Sequence, residues 1–237
     1  MLDWPAGPRR PTLAADDVHV WRADLDEAWA AATWRSVLSE DERLRADRFR
    51  FEPDRRRFTA GRGVLRALLG RYLEADPAAL EFAYGPAGRP ALGGPWAGTE
   101  LSFSVAHSQA LALYALTRGR AIGIDVEQVR SDVDLTGVAA TAFSADERAA
   151  LSAAAPAERR QVFFATWTSK EAYVKATGDG LGGTATDLQA PLAPEEARHW
   201  TFTPLDPGPG YAAALAVRGR NLRLSWFHWS PSPGGAL

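Results

Sequence analysis

Cysteine is absent from these 237 residues, which excludes disulfides, thiolate metal sites and cysteine nucleophiles. Lysine is almost absent too: of 27 basic residues only Lys170 and Lys175 are lysines, and the rest are arginines. No run approaches the roughly 18 apolar residues of a membrane span. The N-terminus, "MLDWPAGPRRP", carries no apolar signal region, so a cytoplasmic protein with no membrane partner is expected. What remains is ordinary globular material, 46% apolar and 24% charged with nine tryptophans, enough for one large domain or two small ones.

Charge is unevenly spread. Residues 43–72 hold ten arginines against three acids, a local +7, so the rest of a chain of net charge −2 carries −9. A basic patch on an acidic protein suits a compact anion such as a polyphosphate, or is simply a solvated arginine-rich helix face.

Several features occur twice. "LSEDER" (38–43) and "FSADER" (143–148) share Ser-x-Asp-Glu-Arg 105 residues apart, and each has the spacing of a capping box, Ser39 with Glu42 and Ser144 with Glu147. A helical pattern follows each, at 54–73 and 157–178. Then come two hairpin-like segments, strand–Arg-Gly-Arg–strand, at 111–129 and 212–229. This ordered repetition predicts an α+β fold of two similar halves related by pseudo-two-fold symmetry, 1–120 and 121–237. Turn-rich connections are expected at 84–98 and 203–210, a disordered tail from about 230, and ligands between the halves.

Chemistry concentrates in the second half. In "AIGIDVEQV" (121–129), Ile122, Ile124 and Val126 share one strand face, and Gly123, Asp125 and Glu127 share the other. Two carboxylates side by side repel, which a hard divalent ion such as Mg²⁺ relieves; a plain solvated strand face is the alternative. In "WTSKEAYVK" (167–175), helical periodicity puts Phe164, Trp167, Glu171 and Val174 on one stripe with Lys175 at its edge. Glu171 in an apolar stripe needs a cation, either Lys175 four residues on or a metal on the strand carboxylates. The glycines of "TGDGLGG" (177–183) follow a helix C-terminus, so they form a helix stop and not a phosphate loop.

"GIDVE" followed about forty residues later by "WTSKEAYVK" resembles the paired signature of the 4′-phosphopantetheinyl transferases, G-x-D-x-E and W-x-x-K-E-x-x-x-K. "RFRFEPDRRRFTAGR" (48–62), "GRPAL" (88–92) and "LSFSVAHS" (101–108) extend the likeness over most of the chain. Length and duplication resemble the larger, surfactin-synthetase-type branch, a monomer of two halves. The resemblance implies an enzyme that moves the phosphopantetheine arm of coenzyme A onto a serine of an apo acyl or peptidyl carrier protein. The reaction would need Mg²⁺ and release 3′,5′-ADP, and secondary metabolism is its expected setting. By the same resemblance, Asp125, Glu127 and Glu171 are metal ligands, Glu171 also the base, and Lys175 a pyrophosphate contact. Arg57 and His107 would hold the ribose 3′-phosphate, with Gly88, Arg89, Ser104 and Ala106 near the nucleotide. Ala106 stands where the family often has serine, and Arg89 where it commonly has lysine. The segment 128–143 lies where relatives meet the carrier.

Two other classes use the same residues: a metal-dependent phosphohydrolase acting on a free nucleotide, and a non-catalytic module docking its arginines on nucleic acid. The acidic remainder of the chain argues against nucleic acid as a partner. His19, His199 and His228 are expected to be structural.

Overall fold

Val18 and Val20 face one way from β1 (Asp17–Asp24), Trp21 and Ala23 the other, and all four are buried. A strand covered on both faces lies between two layers. The computed structural model describes residues 3–31, 34–85, 88–178 and 194–230. In it β1 belongs to a four-stranded sheet of order β4-β5-β1-β9, with β4 at Leu101–Ser108, β5 at Leu111–Arg118 and β9 at Arg223–His228. A three-stranded antiparallel sheet has the order β6-β8-β7: β6 is Ile122–Gln128, β7 Trp200–Leu205 and β8 Tyr211–Arg218. A short ribbon pairs β2 (Phe82–Tyr84) with β3 (Pro90–Leu92).

The helices are α1 (Leu25–Ala31), α2 (Glu40–Asp47), α3 (Glu52–Leu73), α4 (Leu135–Ala142), α5 (Ala145–Ala153), α6 (Arg159–Thr177) and α7 (Pro194–Ala197). Four layers result. Val64, Leu65, Leu68 and Leu69 of α3 pack on Trp21, Tyr114 and Leu116 of the larger sheet. Its other face, with Val20, Leu113 and Ala115, meets Ile122, Ile124, Val126, Leu215 and Val217 of the smaller sheet. Ala172 and Ala176 of α6 cover the far side at Ala214 and Ala216. Burial of these continuous apolar faces is the main force joining the sheets.

The α+β architecture matches expectation, and so do the paired helix starts. The Glu42 carboxylate accepts from the Ser39 amide at 3.1 Å and that of Glu147 from the Ser144 amide at 2.7 Å. The two strand–Arg-Gly-Arg–strand segments, however, are not hairpins. Each turn carries the chain from one sheet to the other: β5 lies in the larger sheet and β6 in the smaller, β8 in the smaller and β9 in the larger. In-plane pairing would leave the apolar faces of these strands half covered; crossing buries them against the opposite sheet. β9 runs parallel to β1, Val20 opposite Trp226, so a strand of the second half completes the sheet of the first. The two turns meet and line one open cavity with Arg198 and His199.

Gly178, at φ 84°, is the left-handed stop of α6; the glycines at 180, 182 and 183 and the tail from 231 lie outside the described residues. Among those described, no helix is long and apolar enough to cross a membrane.

Candidate active site

Small residues build this site. On the α6 side of the smaller sheet, Gly123, Asp125 and Glu127 of β6 stand opposite Ala216, Ala214 and Ala212 of β8. The facing helix contributes Ala172 and Ala176. A Cβ on Gly123 would lie 1.9 Å from the Ala172 carbonyl oxygen and 2.5 Å from the Ala176 amide nitrogen. What approaches Gly123 is therefore the helix backbone. Such close packing of α6 brings the longer side chains of its inner face onto the strand carboxylates.

The buried face of α6 runs through Phe164, Thr168, Glu171, Ala172 and Ala176. Trp167 and Val174, expected on this stripe, are only half-buried: Trp167 turns toward α4 and α5, where it packs with Phe143 and Phe163. The Lys175 ammonium donates to Asp125 Oδ1 at 2.6 Å. It pairs across to the strand, and no Glu171–Lys175 pair forms within 4 Å among the described residues. Asp125 is 4% and Glu171 6% exposed, and Asp125 Oδ2 and Glu171 Oε1 are buried without a hydrogen-bond partner. Burial pushes Asp125 up to about 6, against the pull of Lys175. Burial, and then the charge of Asp125, also raises Glu171. Glu127 stands further out, its Oε2 accepting from Ser108 Oγ at 3.0 Å.

Two orphan carboxylate oxygens in one buried cluster fit a hard cation such as Mg²⁺. Among the described residues, no three His, Asp or Glu side chains are yet gathered tightly enough to hold one. Lys175 covers one oxygen of Asp125 and Ser108 draws Glu127 aside, so both would have to yield.

Other expected contacts have structural partners here. Ser104 Oγ accepts from the Ile124 amide at 3.2 Å and Ser108 Oγ from the Gln128 amide at 3.0 Å, stitching the sheet edges β4 and β6 together. Ala106 is buried in the core between the sheets. His107 is open to solvent, yet the crowded cleft, then Lys175 and Arg45, hold its imidazole below the ordinary range. Arg57 forms a two-pronged pair with Asp26 at 2.9 and 2.8 Å and donates to Gln109 at 3.3 Å. Gly88, at φ 72°, closes the turn between β2 and β3. Beside it the Arg89 guanidinium donates to three main-chain carbonyls, those of Phe103, Ile122 and Lys175. Of the histidines away from the cleft, His19 is set in the fold, its Nδ1 meeting Tyr72 Oη at 2.7 Å, whereas His199 is exposed beside the two Arg-Gly-Arg turns.

Lys170, the other lysine, pairs with Glu147 at 2.8 Å. The equivalent glutamate of the first half, Glu42, pairs with Arg66 at 2.6 Å and with Arg62. Lys170 therefore pins the start of α5 to α6, as Arg66 pins α2 to α3. The repeated Ser-x-Asp-Glu motif pointed to these glutamates, but their partners lie on the following helix, at a distance that no local pattern encodes.

A strand of paired carboxylates facing a helix with Glu and Lys one turn apart, in an α+β fold, brings acid, base and cation together as a group-transfer enzyme requires. Residues 121–226 match the model of the 4′-phosphopantetheinyl transferase superfamily, and residues 19–118 that of a 4′-phosphopantetheinyl transferase N-terminal region. The 4′-phosphopantetheinyl transferase HetI of Nostoc sp. is 40% identical over 95% of this chain and 98% of its own length. A putative 4′-phosphopantetheinyl transferase of Synechocystis sp. is 34% identical over 63% of this chain and 61% of its own. The 4′-phosphopantetheinyl transferase of Bacillus subtilis is 27% identical over 62% of each. The chain belongs to the 4′-phosphopantetheinyl transferase superfamily.

Proposed function

We propose that this chain, a 4′-phosphopantetheinyl transferase, performs its transfer where Asp125, Glu171 and Lys175 meet. The serine oxygen of an apo acyl or peptidyl carrier protein attacks the β-phosphorus of coenzyme A. A new phosphorus–oxygen bond forms as the bond to the nucleotide breaks, and 3′,5′-ADP leaves. Glu171 takes the serine proton, directly or through water; its raised proton affinity suits a general base. Asp125, Glu127 and Glu171 are the residues that would hold Mg²⁺, which supplies charge neutralisation at the pyrophosphate. Lys175, freed from Asp125, meets the negative charge leaving with the nucleotide; a point charge on a flexible stem fits that narrow place better than a planar fork. His107, Arg57 and Arg45 form the cationic pole for the ribose 3′-phosphate. Arg57 would exchange Asp26 for it.

We assign the chain to the larger, two-half branch as a cytoplasmic monomer, with 1–120 serving the nucleotide and 121–237 the reacting centre. The segment 128–143, which includes α4, faces the carrier. The observation that carries the reading is the pair of partnerless, buried carboxylate oxygens beside Lys175. Incubation with several apo carriers, coenzyme A and Mg²⁺, followed by intact-mass measurement, should give one phosphopantetheine adduct per carrier. Absence of an adduct on every carrier would overturn it.

A further inference from the structure

Arg89 sits in the turn of the β2–β3 ribbon, a short element outside the two main sheets that is anchored on β4 by the Phe82–Phe103 ring contact, centroids 6.2 Å apart. Gly88, in the left-handed region at φ 72°, gives the ribbon its tight turn immediately before Arg89. The guanidinium is half-buried, and no carboxylate lies within 4 Å of it among the described residues. Its N–H groups go instead to main chain: Nη2 to the Ile122 oxygen at 2.9 Å and the Phe103 oxygen at 3.2 Å, Nη1 to the Lys175 oxygen. These three carbonyls come from β6, β4 and α6, the elements that carry the candidate site. The Lys175 carbonyl lies in the last turn of α6, where no intrahelical amide remains to bond it and the helix dipole favours a cation. Lys175 is thus held twice, by its ammonium on Asp125 and by its carbonyl on Arg89.

We propose that Arg89 is a positioning residue for the transfer: its guanidinium acts through the main chain of Lys175 and Ile122. The inference rests on the reading of Lys175 and Asp125 as the reacting centre. At Gly123 no side chain stands between the β6 backbone and that of α6, so the end of α6 needs a lateral tie to stay in register, and Arg89 supplies it. Arginine suits this task where lysine does not. One planar fork reaches three oxygens in different directions, whereas an ammonium on a single stem satisfies fewer.

The test compares Arg89→Lys and Arg89→Ala with the unaltered full chain, measuring kcat, KM for coenzyme A, and amide exchange of peptides covering 172–177. A positioning role predicts exchange in that last turn about tenfold faster or more, with α3 peptides unchanged. It also predicts kcat lower by about 10- to 100-fold, the scale of a misplaced catalytic group, and KM for coenzyme A within about twofold of the parent. The lysine variant should fall between parent and alanine. A raised KM with kcat preserved would make Arg89 a nucleotide ligand and overturn the proposal; unchanged exchange in 172–177 would overturn it as well. If the alanine variant does not fold, the lysine variant carries the same measurements. A parent chain without transfer activity would sink the functional reading alone, because the exchange experiment still decides whether the tie exists.

Discussion

Glu171 is a carboxylate kept where its neighbours make ionisation costly. Burial and the charge of Asp125 both lift it, and burial lifts Asp125 itself to about 6. A carboxyl that binds its proton more tightly in the folded than in the unfolded chain weakens the fold at high pH. That cost disappears as pH falls through the folded value and the proton returns. Glu171→Gln, which removes the charge and keeps the shape, should therefore be more stable than the parent at pH 7.5 in metal-free buffer. The gap should narrow as pH falls and the parent takes up its proton, as measured by urea unfolding. Transfer by the same variant should drop by about 10²–10⁴-fold, the usual worth of a positioned base. A variant both inactive and less stable at pH 7.5 would mean that Glu171 is an ordinary structural carboxylate.

At the scale of elements, the contact between α6 and the smaller sheet is made of glycine and alanine, and one added methyl group is enough to break it. Gly123→Ala puts a carbon 1.9 Å from a helix carbonyl, and backbone cannot step aside as a flexible side chain would. A loss of about 3 kcal/mol, the upper end for overpacking, is expected from the denaturation midpoint, together with loss of transfer as α6 carries Glu171 and Lys175 away from the strand carboxylates. The helix pins differ in burial and should differ in cost. Glu42 and Arg66 are both 1% exposed, while Lys170 and Glu147 are 12% and 30% exposed. Glu42→Gln should cost about 3–5 kcal/mol by stranding a buried charge. Glu147→Gln, with water at hand, should cost about 1 kcal/mol. Equal costs would contradict this ordering. Much at this scale was legible beforehand. The alternation of β6 put Ile122, Ile124 and Val126 in the core and Asp125 and Glu127 opposite, and the Ser-x-Asp-Glu spacing marked two helix starts. The purpose of Gly123 was not legible, because the atom it avoids lies about fifty residues away in sequence. Arg89 was equally opaque, since its partners are carbonyls that every residue possesses. The inner stripe of α6 was misjudged at Trp167 and Val174, because aromatic and branched side chains signal burial more loudly than the alanines that do the packing.

Across the whole molecule, the halves are interlocked and do not merely abut. The repeats told that there are two of everything; they could not tell that each Arg-Gly-Arg turn changes sheets, because a strand's local pattern names its buried face and not its neighbour. With β9 paired to β1, 1–120 lacks the edge strand of its own sheet, and 121–237, although it holds all three strands of the smaller sheet, is left with β9 unpaired. Unfolding in urea should accordingly be a single transition, with tryptophan fluorescence and far-ultraviolet circular dichroism coincident. Fragments 1–120 and 121–237 should each be unstructured alone. A fragment 1–120 that folds cooperatively by itself would contradict the interlock.

The place of β9 also sets a timetable for synthesis. Domains usually fold in the order in which they leave the ribosome. Here the first sheet keeps an open edge at β1 until residues 223–228 arrive to close it. Nearly the whole chain must be made before its first half can finish, so a prematurely terminated product exposes an unpaired strand edge, ready for recognition by chaperones and proteases.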